Sequence, residues 1–119
     1  MKHNQSLEDY LESILTLASE KRVVHRIDVA KKMRVSGAAV NKAVKILLEK
    51  GFVYEDGKHL YLTESGKAYA EAVYEKHCII RDFLIALGVS APRATEDACN
   101  LEHLVSDETF SAMKKFLQK

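Results

Sequence analysis

The feature that most constrains this chain is a hairpin signal that directly follows two short helical patterns. Asp56-Gly57-Lys58 separates two short apolar-rich runs, at residues 52–55 and 59–62. An Asp-Gly pair between alternating runs is the strongest local signal for a β-hairpin. A helix-turn-helix that leads straight into such a hairpin is a winged helix. The sequence therefore favours a winged helix, and the alternative that stays open is another small α+β domain.

The two helical patterns before the hairpin have the spacing of a helix-turn-helix. Apolar residues between Ile27 and Met33 predict a short helix, and a tight break follows up to residue 37. Ser36 is a suitable N-cap for a longer helix over about 37–50, which Gly51 ends. Two short helices joined by a turn of three or four residues form this DNA-binding motif. Ahead of them, Ser6 is expected to cap a first helix, and residues 22–25 predict a short strand.

Basic residues concentrate in this part of the chain. Between Lys21 and Lys58 there are ten Lys or Arg against four acidic residues, a net of +6, whereas the whole chain has a net charge of +1. A basic segment inside a nearly neutral chain is typical of a surface that faces a polyanion. The alternative is a solvated face of lysines and arginines, and charge alone does not separate the two.

After residue 64 the chain carries helical patterns and no strand signal. Helices are predicted over about 64–87, 92–105 and 107–117, with Gly88 ending the first and Ser106 capping the last. The predicted fold is therefore mostly α with a small β-hairpin. It comprises an N-terminal winged helix-turn-helix DNA-binding domain at residues 1–63 and a C-terminal helical dimerisation domain at residues 64–119.

Three potential metal ligands lie on one face of the helix predicted at 92–105. Cys99, Glu102 and His103 stand at positions i, i+3 and i+4, so their side chains point the same way. Thiolate, carboxylate and imidazole are usual donors to transition metals. The alternative is a small buried cysteine beside an exposed Glu-His pair. His77 lies in an apolar stripe of the long helix, where a histidine is more often a core residue than a ligand.

Length and composition exclude several classes of protein. A chain of 119 residues is short for a large catalytic α/β fold, and it has no apolar run long enough to span a membrane. The first ten residues lack the apolar stretch of a secretory signal peptide. With two cysteines and no export signal, the thiols are expected to be free and the protein cytoplasmic.

Several of these stretches, taken in order, resemble one family. They are residues 6–12, the helix-turn-helix around 35–37, residues 62–66, Val73-Tyr74 leading to His77, and residues 97–103 running into 106–108. The chain resembles the diphtheria toxin repressor family of metal-dependent transcriptional regulators, which includes the manganese transport regulators. The resemblance covers essentially all 119 residues and implies the short two-domain form, without the SH3-like third domain of longer members.

The resemblance implies a homodimeric repressor with a divalent metal held between its first helix and its dimerisation helices. Carried over position by position, the ligands are Asp9, Glu12, His77, Cys99, Glu102 and His103. The first two match the manganese-type regulators, whereas the cysteine matches the iron-type regulators. A thiolate favours Fe²⁺ over the harder Mn²⁺, so Fe²⁺ is preferred and Mn²⁺ is second. Zn²⁺, Co²⁺ or Ni²⁺ are expected to bind in vitro.

A second set of residues is expected to contact operator DNA. The first turns of a recognition helix face the major groove, which makes Asn41 and Lys42 candidates for contacts with base edges. Phosphate contacts are expected from the helix-turn-helix and from the wing. The full set is Arg26, Lys31, Lys32, Arg34, Ser36, Gly37, Ala38, Asn41, Lys42, Lys58 and His59.

The sequence thus predicts a transcriptional repressor of metal-uptake genes that is activated by Fe²⁺ or Mn²⁺. A dimer predicts an inverted-repeat operator in double-stranded DNA, and neither a membrane nor a small-molecule substrate is expected as a partner. One alternative is a metal-independent winged-helix regulator that senses oxidation through Cys99. An enzyme is not expected, because six protein donors leave a metal little room for a substrate.

Overall fold

The computed structural model describes residues 7–21 and 23–119. Within them the chain is mostly helical, with six helices and one two-stranded antiparallel sheet. This confirms the predicted fold class. Ser6, the expected first N-cap, and Arg22, in the expected first strand, lie outside the described residues. The elements are α1 (Leu7–Glu20), α2 (Arg26–Met33), α3 (Gly37–Glu49), β1 (Val53–Asp56), β2 (His59–Leu62), α4 (Glu64–Ala86), α5 (Ala91–Leu101) and α6 (Asp107–Leu117).

The chain divides into two compact units, and the division falls inside α4, between Glu71 and Ala72. The first unit contains α1 to α3, the hairpin and the first two turns of α4. The second contains the rest of α4, α5 and α6. A functional boundary between residues 63 and 64 remains a prediction from the sequence.

The core of the first unit is built from the apolar faces of its three helices and the inner face of the hairpin. Leu11 and Ile14 of α1 pack with Val44 and Leu47 of α3, and Leu60 of β2 completes the centre. All five side chains are almost wholly buried. Burial of one such side chain stabilises a fold by ~1.5–3 kcal/mol, so this core is what fixes α2 and α3 as a helix-turn-helix.

The hairpin has the expected register and turn, with Val53 opposite Leu62 and a glycine of positive φ (65°) at position 57. Of the strand predicted over residues 22–25, the described residues 23–25 contain one bridge, in which the backbone N–H of Leu60 donates to the carbonyl of Val24 at 2.8 Å. The next residue, His25, already serves as the N-cap of α2, and its backbone N–H donates to Asp28 at 2.9 Å. The start of the helix therefore ends the strand.

The start of α4 packs against Gly51 and Phe52, which lie between α3 and β1. The hydroxyl of Thr63 donates to the carbonyl of Gly51 at 2.7 Å and accepts from the backbone N–H of Gly66 at 3.0 Å. A Cβ on Gly66 would lie 1.8 Å from the carbonyl oxygen of Phe52, so no side chain fits there. The glycine lets two backbones touch.

In the second unit α5 ends at Leu101, whereas the sequence predicted a helix as far as residue 105. Residues 102–104 form a turn instead, with the backbone N–H of Leu104 bonded to the carbonyl of Leu101 at 2.9 Å. Ser106 is extended and caps α6 by accepting from the N–H of Thr109, so the chain must leave the helical path before it. None of the helices in the described ranges is long and apolar enough to cross a membrane.

Candidate metal centre and DNA-binding surface

Three of the predicted ligands meet in the second unit. His77 comes from α4, Cys99 from α5, and Glu102 from the residue that caps the end of α5. One potential ligand atom from each lies within 4.8 Å of the others. The ring Nδ1 of His77 is 2.8 Å from Oε1 of Glu102 and 3.8 Å from Sγ of Cys99. Nitrogen, sulfur and oxygen donors therefore face one small volume.

The carboxylate of Glu102 is buried, but only one of its two oxygens forms a hydrogen bond among the described residues. Its side chain is 1% exposed, yet no group among the described residues forms a hydrogen bond with its Oε2. Nε2 of His103 lies 3.5 Å from that oxygen. A buried carboxylate oxygen that lacks a hydrogen bond costs free energy, and a bound cation would remove this cost. The donor set and this oxygen both fit a divalent metal.

His77 is protonated at neutral pH in the metal-free arrangement. Hydrogen bonds to Cys99 and to Glu102 raise the pKa of its ring to about 10, against the opposing effect of burial. The imidazolium then supplies a positive charge beside the buried carboxylate of Glu102. Since a histidine binds metal in its deprotonated form, loading the site requires that this proton leave.

Three predicted ligands remain. His103 directly follows Glu102 in the second unit, whereas Asp9 and Glu12 lie on α1 in the first unit. They are three residues apart, so their side chains share one face of the helix, and both are partly buried. The same helix turn is fixed to α4 within this unit, because the hydroxyl of Tyr69 donates to Glu8 at 2.5 Å. The sequence held no signal for that bond, whose partners are 61 residues apart.

The predicted DNA-binding residues all belong to the first unit, on α2, α3, the turn between them and the hairpin. Ser36 caps α3 by accepting from the N–H of Ala39 at 3.1 Å. Arg34 takes a left-handed conformation (φ 57°) at the end of α2, which produces the sharp turn into α3. His59 of the hairpin is partly buried and contacts the ring of His25 edge-on. The exposed members of the set are Lys31, Lys32, Arg34, Ser36, Gly37, Ala38, Asn41, Lys42 and Lys58.

Arg26, which was predicted to contact phosphate, has two protein partners. Its guanidinium donates to both carboxylate oxygens of Glu55, at 2.9 and 2.7 Å, and to Oδ1 of Asn41 at 2.9 Å. The pKa of Glu55 is held below its usual range by this hydrogen bonding, against burial. No local sequence pattern indicates this role for Glu55, because its partner Arg26 lies 29 positions earlier in the chain.

A cavity of ~460 Å³ lies beside this ion pair, between the start of α2 and the hairpin turn. Its lining residues are His25, Arg26, Ile27, Glu55, Gly57 and Lys58.

Two sequence profiles together match almost the whole chain. The N-terminal DNA binding domain of iron dependent repressors matches residues 3–60, and the metal binding and dimerisation domain of the same proteins matches residues 63–119. The order of the two matches is the order of the two structural units.

Individual relatives agree with this assignment. The chain is 38% identical to an uncharacterized HTH-type transcriptional regulator of Methanocaldococcus jannaschii, over 98% of this chain and 95% of that protein. It is 36% identical to the transcriptional regulator MntR of Escherichia coli, over 95% of this chain and 74% of that protein. The structure of the manganese regulator SloR superposes with a TM-score of 0.86 and 36% identity, over 98% of this chain but 55% of that chain.

These matches confirm the resemblance and the predicted function class. The two domains are those of a regulator that binds divalent metal and operator DNA and forms a homodimer, and the family is not one of enzymes. The chain belongs to the iron dependent repressor family of metal-dependent transcriptional repressors, together with the manganese regulators.

Proposed function

We propose that six side chains bind the activating metal and that binding couples the two domains. The observation that carries the proposal is the buried carboxylate of Glu102, one oxygen of which contacts His77 while the other lacks a hydrogen bond among the described residues. Asp9 and Glu12 would complete the donor set from the DNA-binding domain. The proposed ligands are Asp9, Glu12, His77, Cys99, Glu102 and His103.

The proposed coupling follows from where these donors lie in the chain. Two carboxylates belong to the helix that leads into the helix-turn-helix, and the other donors belong to the dimerisation domain. A divalent cation would neutralise carboxylates that otherwise repel one another. Binding favours whichever arrangement of the domains brings all donors together, and only such a difference in affinity shifts the population. A coupling of about 1–3 kcal/mol corresponds to ~5–150-fold tighter DNA binding.

For the metal itself we propose Fe²⁺, with Mn²⁺ as the second candidate. The thiol of Cys99, 3.8 Å from His77, favours the softer ion, whereas the carboxylates favour the harder one. Zn²⁺, Co²⁺ and Ni²⁺ are expected to bind in vitro, because their complexes with nitrogen, sulfur and oxygen donors are generally at least as stable as those of Fe²⁺ and Mn²⁺.

On the DNA side we propose that the protein represses metal-uptake genes in the cytoplasm by binding an inverted repeat as a dimer. Asn41 and Lys42 would reach base edges, and Ala38 is placed to contact a thymine methyl group. Ser36 would also lie near the DNA, and Gly37 would leave room for a close approach of the backbone. Six side chains would fix the register on phosphates: Arg26, Lys31, Lys32, Arg34, Lys58 and His59.

The test is a gel-shift titration of operator DNA under anaerobic conditions, with Fe²⁺ and Mn²⁺ in parallel. Cys99→Ala and Glu102→Ala are expected to abolish the metal-dependent shift. The matched control is Glu96→Gln on the same helix, because Glu96 pairs with Arg93 at the surface and both side chains are 67% exposed. If both site variants still bound DNA in response to metal, the ligand assignment would be wrong.

The second candidate is regulation by oxidation of Cys99 without metal. The observation in its favour is that Cys99 is exposed and lies beside the ring of His77. A thiol beside an imidazolium is more reactive toward oxidants than an ordinary thiol. Unchanged DNA affinity after stringent chelation, together with a loss of affinity on peroxide treatment that Cys99→Ser prevents, would favour this candidate.

A further inference from the structure

We propose that Asn41 reads DNA as a hydrogen-bond donor only, because Arg26 and Glu55 fix the orientation of its side-chain amide. The inference rests on the proposed placement of α3 in the major groove. It goes further by assigning the kind of base edge that this position accepts, which is a guanine.

The three side chains form a short chain of hydrogen bonds across three elements of the first unit. Glu55 of β1 accepts twice from Arg26 of α2, and Arg26 donates to Oδ1 of Asn41 on α3 at 2.9 Å. The arginine and glutamate side chains are 35% and 24% exposed. A bidentate pair that is mostly covered by protein holds the guanidinium in a fixed plane.

The chemistry of arginine settles which end of the amide faces it. A guanidinium carries donors and no acceptor, so only the oxygen of Asn41 satisfies it, and the reversed amide would place two donors against each other. The amino group of Asn41 must therefore point away from Arg26. Asn41 is exposed and is the fifth residue of α3, so this amino group is available to a ligand in front of the helix.

An amide held in this way cannot form the usual asparagine contact with adenine. That contact uses the amide oxygen to accept from N6 and the amide nitrogen to donate to N7. An amide oxygen can accept two hydrogen bonds, but the bond from Arg26 turns this oxygen toward α2, which holds it away from the base edge that the amino group faces. Guanine presents two adjacent acceptors in the major groove, O6 and N7, whereas cytosine presents a donor. Two N–H bonds of one amino group match guanine and oppose cytosine.

A purely structural role for the network predicts something different. If Arg26 only braced α2 against α3, loss of the contact would lower stability and weaken binding to every sequence by the same factor. A change in which base is preferred at one position of each half-site is the signature of the proposed role.

The experiment selects binding sites from a randomised duplex library with metal-loaded wild-type dimer and with Asn41→Asp. Aspartate keeps an acceptor for Arg26 but replaces the amino group with a second acceptor. At one position of each half-site, guanine is expected to give way to cytosine, whose amino group an acidic side chain accepts. At that position we expect wild-type protein to favour guanine by about tenfold and to lose most of this preference with 7-deazaguanine. Gln118→Glu at the end of α6 adds the same charge as a control and is expected to keep the wild-type preference.

A second variant releases the amide without changing Asn41. Glu55→Gln weakens the hold on Arg26, so Asn41 gains the freedom to turn, and adenine is expected to become acceptable at the same position. Thermal unfolding of each variant shows whether it folds. If Glu55→Gln does not fold, the base preference of Asn41→Asp alone tests the inference. If both variants kept the guanine preference and only weakened binding uniformly, the inference would be overturned while the proposed function stood. If wild-type protein enriched no sequence, the proposed function itself would fail.

Discussion

Oε1 of Glu102 lies 2.8 Å from Nδ1 of His77, and both side chains are buried. In the metal-free protein this pair is an ion pair, since the pKa of His77 is raised to about 10 by Cys99 and Glu102. The proton on His77 supplies the positive charge that the buried carboxylate needs. A divalent cation at the same place would take over that role, so metal and proton compete for one site.

Loss of the Glu102 charge is expected to weaken metal binding most. Glu102→Gln keeps the volume of the side chain but removes one negative charge and one potential donor oxygen, and we expect metal affinity to fall by about 100-fold or more. Competition with a chelator of known affinity measures this. Glu96→Gln, which neutralises an exposed carboxylate on α5, is the control, and an equal loss in both variants would contradict the assignment.

Metal binding is expected to release protons and to strengthen as pH rises. With a pKa of about 10, His77 is protonated throughout the neutral range and must lose its proton to become a ligand. Each proton released corresponds to about tenfold tighter binding per pH unit. Calorimetry in two buffers of different ionisation enthalpy counts the protons. A heat of binding that did not depend on the buffer would show that His77 does not lose its proton when the metal binds.

The metal-free protein is expected to lose stability as the pH rises from neutral toward 10. A histidine whose folded pKa lies above its unfolded value of 6.5 stabilises the fold fully below pH 6.5, and the contribution disappears as the pH passes the folded value of about 10. Urea unfolding in the presence of a chelator, at pH 6, 8 and 10, measures the trend. His77→Gln should flatten it, and an equally steep decline in that variant would assign the loss to other groups.

Gly66→Ala is expected to destabilise the first unit strongly, by about 3 kcal/mol or more, because its Cβ would overlap the carbonyl of Phe52. Gly37→Ala is the matched control, since a Cβ there meets nothing within 4 Å, and it is expected to raise stability by about 0.4–1 kcal/mol. Chemical unfolding of the metal-free variants measures both changes. Similar stability of the two variants would mean that the backbones move apart at little cost.

The sequence predicted the elements of the fold well because their signals are local. The Asp-Gly turn, the Ser36 and Ser106 caps and the apolar spacing of α1 and α3 each lie within a few residues of the structure they produce. The end of α5 was placed four residues too late. Its apolar pattern continues to Val105, but the extended backbone that Ser106 needs as a cap ends the helix sooner.

The candidate site was accessible to sequence reasoning only in part. The spacing from Cys99 to His103 grouped three donors, but whether His77 belonged with them depended on packing between residues 22 to 25 positions apart. Arg26 shows the opposite case. Its basic character indicated a phosphate contact, whereas its partners Glu55 and Asn41 come from later elements that no local pattern connects to it.

The contact between Gly66 and Phe52 also governs where this chain tolerates added length. Because the two backbones touch at that junction, an inserted residue or a new terminus there would force the helix start away from the hairpin. The exposed hairpin turn at Gly57-Lys58 and the loop after Gly88 carry no such contact among the described residues. Because Lys58 in the hairpin turn is proposed to contact DNA, tags and reporter domains belong in the loop after Gly88.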